Sequence, residues 1–245
     1  MLSRRAVLIL GPLPLATAVL NVSAPVARAR SPRQSPIDIT RGSIRFERHL
    51  PPLRTFYSRS EVEIEYIRKD STSPAGCTTR HPEETQEAVV ARGSGYVTLA
   101  GTRYDLEQFH FHTPSEHKFE GRSAPLEMHL VHHSAAGELL VIGVPLIAGP
   151  YSVVDVVLAN LTPECGEPVH VPEIDLNALL PVDRTTARYD GSLTTAPFTE
   201  GVRWFLTKEK TVTQATITRI QSLFPNGNAR ETQPLNGRTV QVQRR

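Results

Sequence analysis

A five-residue stretch near the middle of the chain reads Gln108-Phe109-His110-Phe111-His112. Side chains on a β-strand alternate between two faces, so a strand here places both histidines on one face and both phenylalanines on the other. The phenylalanines indicate which face is packed against a core. The two imidazoles then lie about 7 Å apart, given a rise of about 3.3 Å per residue, and both can reach one metal ion.

A second alternating stretch supplies a third histidine. Residues 126–132 repeat the pattern, and Glu127, His129 and Val131 share one face. If the two strands are antiparallel neighbours, His129 brings a third nitrogen to the pair. Three nitrogens with an open fourth position form the ligand set of a catalytic zinc site. Imidazoles without a thiolate nearby suit Zn²⁺.

Polar neighbours of these histidines strengthen the metal interpretation. Gln108 and Glu127 each precede a candidate ligand by two residues on the same face, where each can accept the other imidazole N–H and fix the tautomer. The alternative is that the histidines are ordinary hydrogen-bonded or surface residues, which a single His-x-His pair would not exclude. Three further histidines are expected to be structural or exposed: His117, His132 and His133.

Around these strands the sequence indicates one mixed domain dominated by a sheet. Gly101 marks the turn of a predicted hairpin between residues 95–99 and 102–106. Further strands are predicted at residues 126–132, 139–147 and 202–207. Helical spacing is found at residues 152–161, 174–180 and 214–224. The polar, proline-containing segment 69–86 is expected to be a surface loop.

Residues 1–29 have the pattern of an export signal. Arg4 and Arg5 precede an apolar run, and residues 27–29 have the small-x-small form of a signal-peptidase site. The run is too short and too interrupted for a good membrane span. The paired arginines resemble a twin-arginine signal, with an ordinary secretory signal and an uncleaved anchor as alternatives. We expect a mature chain, residues 30–245, that is periplasmic or secreted and not held in a membrane.

Charge and cysteine content narrow the class of protein. The chain has 27 Lys+Arg and 25 Asp+Glu, and removing Arg4, Arg5 and Arg28 with the signal leaves 24 basic and 25 acidic residues. A charge so close to zero argues against a nucleic-acid partner. Two cysteines exclude a disulfide-dense mini-domain and a four-cysteine zinc ribbon. After export Cys77 and Cys165 either pair or remain apart.

Several blocks of the sequence resemble the alpha-class carbonic anhydrases. Residues 104–117, which include the first two histidines, look like a signature of that family, and so do residues 126–132. Further similar blocks follow in the family's order: Gln34-Ser35-Pro36-Ile37-Asp38-Ile39, Tyr189-Asp190-Gly191-Ser192-Leu193-Thr194-Thr195, Asn228 to Arg230, and Gln233-Pro234-Leu235. The resemblance therefore covers the chain from residue 34 to about residue 240.

The resemblance implies a mixed, β-dominated single domain with a central, mostly antiparallel twisted sheet of about ten strands and short peripheral helices. It implies that three histidines bind Zn²⁺: His110, His112 and His129. Three further residues, Gln108, Glu127 and Asn228, match the family's residues that support the zinc ligands. Thr194 and Glu116 match a threonine and a carboxylate that orient a zinc-bound hydroxide. The implied substrate pocket consists of Val131, Val141, Leu193, Thr195, Val202 and Trp204.

The implied activity is reversible hydration of carbon dioxide to bicarbonate and a proton by attack of zinc-bound hydroxide. The alternative is a carbonic-anhydrase-like zinc-binding protein with little or no activity. Retention of three histidines together with Glu116 and Thr194 favours the enzyme, and no His-Glu-x-x-His motif supports an unrelated zinc hydrolase. Anions and sulfonamide-type compounds are the implied inhibitors. A homodimer is an open alternative to a monomer.

The chain departs from the family's pattern in three respects. No histidine aligns with the family's proton shuttle. His81, inside an apparent insertion at 69–86, is an alternative proton carrier. The preferred interpretation is that His81 is an ordinary loop histidine. The block at Gln34 begins five residues after the proposed cleavage site, without the family's usual aromatic-rich segment. Cys77 and Cys165 do not match the disulfide of bacterial members. We therefore expect slow turnover that depends on buffer.

Overall fold

The computed structural model describes residues 32–68 and 83–243, in which sixteen strands are labelled in chain order. The strands are β1 Asp38–Ile39, β2 Ile44–Glu47, β3 Arg54–Tyr57, β4 Arg59–Ile67, β5 Thr85–Val90, β6 Gly95–Leu99, β7 Thr102–His112, β8 Lys118–Phe119, β9 Arg122–Ser123, β10 Leu126–Ser134, β11 Leu139–Ala148, β12 Val169–Asp175, β13 Ala187–Ser192, β14 Glu200–Leu206, β15 Lys210–Val212 and β16 Val240–Gln243. The helices are α1 Val153–Leu158, a 3-10 turn at Leu176–Leu179, and α2 Gln214–Leu223.

Thirteen of the described strands form one sheet. Ten of them follow one another in the order β12-β4-β5-β7-β10-β11-β14-β13-β16-β2, and β3, β6 and β15 attach to its sides. Most pairings are antiparallel, but β11 pairs in parallel with β14 and β15, and β16 pairs in parallel with β2. The expected β-dominated single domain is confirmed, with a mixed sheet instead of a strictly antiparallel one. A small separate sheet joins β1, β8 and β9.

The predicted elements are present, with shifted ends. The hairpin of β6 and β7 turns at Ala100 and Gly101, whose φ angles of 50° and 86° lie in the left-handed region. The predicted helix at 174–180 was too long, because β12 continues to Asp175 and only a 3-10 turn follows. The predicted loop 69–86 ends earlier than expected, since β5 begins at Thr85. Residues 69–82 lie outside the described part of the chain.

The two faces of the sheet bury different side chains. On β7, Phe109 and Phe111 are 0% and 1% exposed and belong to the larger core, as their alternation with the histidines predicts. Both α-helices contribute buried residues to that larger core. The opposite face carries a second apolar cluster, which includes Val131, Val141 and Trp204. The histidines of β7 lie on the face of this second cluster.

Helices in the described residues are short. None of them is long and apolar enough to cross a membrane. The first helix begins with a capping box in which the Ser152 side chain accepts from the backbone of the first turn and Asp155 accepts from the Ser152 backbone. Asp155 also accepts hydrogen bonds from Thr213 and Thr216 at the start of α2, which ties the two helices together.

Candidate metal centre

Three histidines converge where β7 and β10 pair. The antiparallel register places His129 directly opposite His110 and Glu127 directly opposite His112. The three imidazole centroids are 4.6 to 5.2 Å apart, and one ring nitrogen from each lies within 4.8 Å of the others. His112 and His129 are buried, whereas His110 is half-buried. The structure therefore brings together the three residues that strand alternation predicts.

Hydrogen bonds behind the imidazoles decide which nitrogen of each ring faces inward. His110 Nδ1 lies 2.9 Å from Gln108 Oε1, His112 Nδ1 lies 3.1 Å from the Asn228 backbone oxygen, and His129 Nε2 lies 2.8 Å from Glu127 Oε1. All three partners are acceptors, so each holds the N–H form of the nitrogen that it contacts. In each ring the opposite nitrogen, Nε2 of His110, Nε2 of His112 and Nδ1 of His129, is then the one that can offer a lone pair to a metal.

One buried atom tests whether these residues fit a metal. His112 Nε2 is buried and has no hydrogen-bond partner among the described residues. Burial lowers the pKa of His112, and the His129 imidazole lowers it further while Glu116 raises it. A neutral imidazole with an unpartnered, buried lone pair is what a metal ligand requires. Three imidazole nitrogens with no thiolate among them suit Zn²⁺.

Glu127 is a buried carboxylate that holds two histidines. In addition to His129, it accepts from His117, whose Nδ1 lies 2.7 Å from Oε1 and whose backbone N–H lies 2.9 Å from Oε2. Burial raises the pKa of Glu127, but His117 and His129 together lower it well below its usual range. His117, Glu127 and His129 also form a group close enough for a metal, but their hydrogen bonds to one another already occupy it.

The role of His117 was missed by sequence reasoning. It is fully buried, as expected for a structural residue, but its ring continues a chain that starts at a candidate ligand. His117 Nε2 lies 2.7 Å from the Tyr189 hydroxyl, which lies 2.8 Å from Ser35 Oγ. Ser35 Oγ also accepts from the Ser192 backbone, at the end of β13. No local pattern in the sequence predicts these contacts, because they join four separate segments.

Glu127→Gln is expected to weaken zinc binding about 10- to 100-fold, the usual cost of losing a group that supports a metal ligand. Glutamine keeps the shape but has one acceptor oxygen, so its NH2 group must face either the two imidazoles at the Oε1 position or the His117 backbone N–H at the Oε2 position, all of which are donors. Zinc affinity measured by competition with a chromophoric chelator provides the test. Glu107→Gln is the matched control, because Glu107 is exposed and pairs with His133. Equal affinity in both variants would contradict the role of Glu127.

Glu116 lies beside the histidines, and among the described residues no hydrogen bond joins it to Thr194. Glu116 is buried, and its Oε1 accepts from the Arg230 backbone at 2.9 Å. Its Oε2 has no hydrogen-bond partner among the described residues and lies 3.6 Å from His112 Nε2 and 3.8 Å from His129 Nδ1. Thr194 is also buried. The expected Thr194–Glu116 hydrogen bond therefore stays a prediction.

The expected apolar pocket residues form one cluster beside the histidines. Val131 lies opposite Val141 across β10 and β11, and Val141 lies opposite Trp204 across β11 and β14. The Trp204 ring is 4.9 Å from the His129 ring. Val202 belongs to the same buried cluster, and Leu193 packs against it. Thr195 follows Thr194 and is half-buried.

Asn228 supports the site from a distant part of the chain. Its backbone oxygen contacts His112, and its side-chain oxygen accepts from the Thr113 backbone at 2.7 Å. Its amide nitrogen donates to the backbone oxygens of Glu84 and Phe111. Asn228 therefore supports His112 through its backbone oxygen, while its side chain anchors the end of β7.

Two expectations fall wholly or partly outside the described residues. His81, the alternative proton carrier, lies in the undescribed segment 69–82. Cys165 is disulfide-bonded, whereas Cys77, the other cysteine of the sequence, lies outside the described residues.

Comparisons with known proteins agree with this geometry. The family model of eukaryotic-type carbonic anhydrase matches residues 22–244. A carbonic anhydrase of Klebsiella pneumoniae is 36% identical over 210 residues, covering 84% of this chain and 78% of the relative. An alpha-carbonic anhydrase of Thermovibrio ammonificans, solved with the inhibitor sulfanilamide, has a TM-score of 0.72 at 33% identity and covers 85% and 86% of the two chains. The alpha-carbonic anhydrase of Photobacterium profundum has a TM-score of 0.71 at 35% identity, covering 87% and 90%.

The family match and these relatives identify the chain as an enzyme of the lyase class. The chain belongs to the eukaryotic-type carbonic anhydrase family, whose model spans all of the residues that the structure describes.

Proposed function

We propose that this chain catalyses the zinc-dependent, reversible hydration of carbon dioxide to bicarbonate and a proton. The observation that carries the proposal is the convergence of three imidazoles, each held by an acceptor at one ring nitrogen, with one nitrogen of each ring within 4.8 Å of the others. Zinc held by such a set would lower the pKa of a coordinated water to about 7, the general value for carbonic anhydrase.

The apolar cluster gives carbon dioxide a place beside the site. Carbon dioxide is uncharged, so it can bind against apolar side chains. Bicarbonate is an anion and would lose its hydration there. Val131, Val141 and Trp204 are almost completely buried and lie on the same face as the histidines. Half-burial of His110 leaves this side of the site reachable from solvent. In the reaction one water oxygen bonds to carbon, bicarbonate leaves, and one proton passes to solvent.

Thr194 and Glu116 are proposed to orient the reacting water. A carboxylate can only accept, so a hydrogen bond between them makes Thr194 the donor and leaves its oxygen as an acceptor. The water then donates to Thr194 and directs a lone pair away from it, towards the apolar cluster. The support for this role is the buried Glu116 Oε2, which faces the imidazoles and lacks a hydrogen-bond partner among the described residues.

Thr194→Val is expected to lower kcat/KM for carbon dioxide hydration by about 10²- to 10³-fold, the scale for loss of one oriented hydrogen-bonding group at a reacting centre. Zinc content should be unchanged, because Thr194 is not a ligand. Stopped-flow hydration assays on zinc-loaded protein make the measurement. Thr194→Ser keeps the hydroxyl and should retain most of the activity. If the valine variant hydrates carbon dioxide at the wild-type rate, the proposed role of Thr194 is wrong.

The stopped-flow hydration assay also distinguishes a carbonic anhydrase from a zinc-binding protein with little or no activity. Wild-type protein with one bound zinc per chain and no hydration above the uncatalysed rate would support a carbonic-anhydrase-like zinc-binding protein. The retained histidine set with Glu116 in place favours the enzyme.

Two further proposals follow from the family and the sequence. Sulfonamide-type and anionic inhibitors are proposed to bind at the metal, as the relative solved with sulfanilamide suggests. The mature chain is proposed to act in the periplasm or outside the cell after removal of residues 1–29, on the basis of the signal pattern. Fractionation of cells producing the full chain, with mass measurement of the mature protein, tests the second proposal.

A further inference from the structure

A cavity of about 550 Å³ lies where β13, β14 and β16 approach one another. None of the three histidines lines it. Its charged lining is dominated by four half-buried arginines: Arg33, Arg188, Arg203 and Arg238. Asp190 is the one carboxylate residue among the described residues that line it.

Strand alternation separates part of this lining from the metal centre. Tyr189 and Trp204 point towards the histidines, since the Tyr189 hydroxyl is 2.7 Å from His117 Nε2 and the Trp204 ring is 4.9 Å from that of His129. Arg188 and Arg203 alternate with these residues on paired strands, so both project from the opposite face. The two arginines are diagonal neighbours, with Cβ atoms about 7–8 Å apart in this geometry. Two cations thus lie side by side.

Two of these arginines have no carboxylate as a hydrogen-bond partner in the described part of the chain, although Glu200 and Asp190 are close enough to act on the charge of Arg238. Arg188 donates to the Thr186 hydroxyl and the Pro51 backbone oxygen. Arg238 donates to three backbone oxygens, those of Pro234, Leu235 and Asp190. Neither guanidinium has a carboxylate hydrogen-bond partner among the described residues, whereas Arg33 contacts Asp190 and Arg203 contacts Glu138. Each guanidinium has five N–H groups, so donors remain for a ligand.

Partial burial makes an anion the natural complement of these cations. Burial lowers the pKa of both Arg188 and Arg238, which means that their charged forms lose favourable solvation. An oxyanion restores it through charge-assisted, bidentate hydrogen bonds, for which the planar guanidinium is well suited. Gln241 and Thr239 add polar groups to the rim of the cavity.

Apolar side chains in the same cavity favour an organic anion over an inorganic one. Leu50, Leu99 and Phe205 contribute to its wall, and the Arg188 guanidinium lies 5.0 Å from the centre of the Phe205 ring. A short carbon skeleton can pack on this wall while its charged ends reach separate arginines. We propose that the cavity binds a small organic anion that carries two or three carboxylate groups, at a site distinct from the metal centre.

Calorimetric titration of the zinc-loaded mature protein at constant ionic strength tests the proposal. The probes are propane-1,2,3-tricarboxylate, succinate, acetate and inorganic phosphate. We expect affinity to fall in the order tricarboxylate, succinate, acetate, with phosphate weaker than the tricarboxylate. Arg188→Gln and Arg238→Gln should each weaken tricarboxylate binding about tenfold or more, as expected for loss of hydrogen bonds between charged groups.

Three further variants keep the test decisive. Arg59→Gln removes the same charge from an exposed arginine that pairs with Glu173, and should leave affinity unchanged. His129→Ala should retain tricarboxylate binding, because the ligand does not occupy the metal centre. Asp190→Asn removes the competing carboxylate and should tighten binding, a gain that damage to the fold would not produce. Equal effects of Arg59→Gln and Arg188→Gln, loss of binding in His129→Ala, or phosphate binding as tight as the tricarboxylate would overturn the proposal.

Discussion

Replacement of His129 by alanine is expected to remove zinc from the purified protein and to reduce carbon dioxide hydration to the uncatalysed rate. His129 lies directly opposite His110 on the paired strand and is 1% exposed. Its removal leaves two imidazoles, fewer than the three protein ligands of a catalytic zinc site. Without the metal, nothing lowers the pKa of the reacting water, so hydroxide is no longer supplied near neutral pH.

Metal analysis and stopped-flow hydration, performed on the same preparations, measure both effects. His133→Ala is the matched control, because His133 belongs to the same strand but pairs with Glu107 at the far end of it. This control should keep its zinc and its hydration rate. Thermal unfolding with and without added zinc separates loss of the metal from loss of the fold: added zinc should raise the Tm of the control but not that of His129→Ala. Full activity in His129→Ala would exclude the proposed ligand set.

Gly143→Ala is expected to disturb the metal centre through Glu127, the residue that supports His129. Gly143 lies opposite His129 on β11, and a Cβ atom there would lie 2.9 Å from Glu127 Oε1 and 2.6 Å from Leu206 Cδ1. Glu127 is held by hydrogen bonds to His117 and His129, so a methyl group that pushes its carboxylate away weakens the contact with His129. We expect zinc affinity to fall about 10- to 100-fold and stability to fall by about 1–3 kcal/mol, the usual cost of overpacking.

Chelator competition measures the first effect, and denaturant unfolding of the metal-free protein measures the second. Gly42→Ala provides the control, because a Cβ atom there meets only Thr40 Oγ1 at 3.8 Å and the backbone does not need a positive φ. It should leave both quantities unchanged. If Gly143→Ala loses stability but keeps wild-type zinc affinity, the added methyl group is accommodated by Leu206 alone and Glu127 stays in place.

Strand alternation predicted the part of the site that lies on two strands. The order of phenylalanine and histidine along β7 specifies which side chains enter the larger core, and Phe109 and Phe111 do so. On β10 the same rule places Val131 with His129, and places His132 on the other face, where its Nε2 contacts the Tyr57 hydroxyl at 2.6 Å. Local periodicity is sufficient here because a pleated strand repeats every two residues.

Contacts between distant segments could not be derived in this way. His112 is held by Asn228, which is 116 residues away in sequence, and only family resemblance pointed to it. The contact of His117 with Glu127 depends on how the chain turns after β7, and no periodicity describes that turn. The requirement for glycine at position 143 becomes visible only when three neighbouring side chains are placed together. Such contacts depend on tertiary packing and carry no signature in their own segments.

Because a chain is synthesised from its amino terminus, the parallel pairing of β2 with β16 can form only late in synthesis. β2 is synthesised among the first of the described strands, yet its sheet neighbour is the last of them, about 200 residues later. Until β16 arrives, the hydrogen-bonding edge of β13 is open, and open edges invite pairing with other chains. Because β13 leads directly into the segment that carries Thr194, this corner of the fold cannot be completed before β16 has been synthesised, and until then the open edge of β13 needs protection from another source.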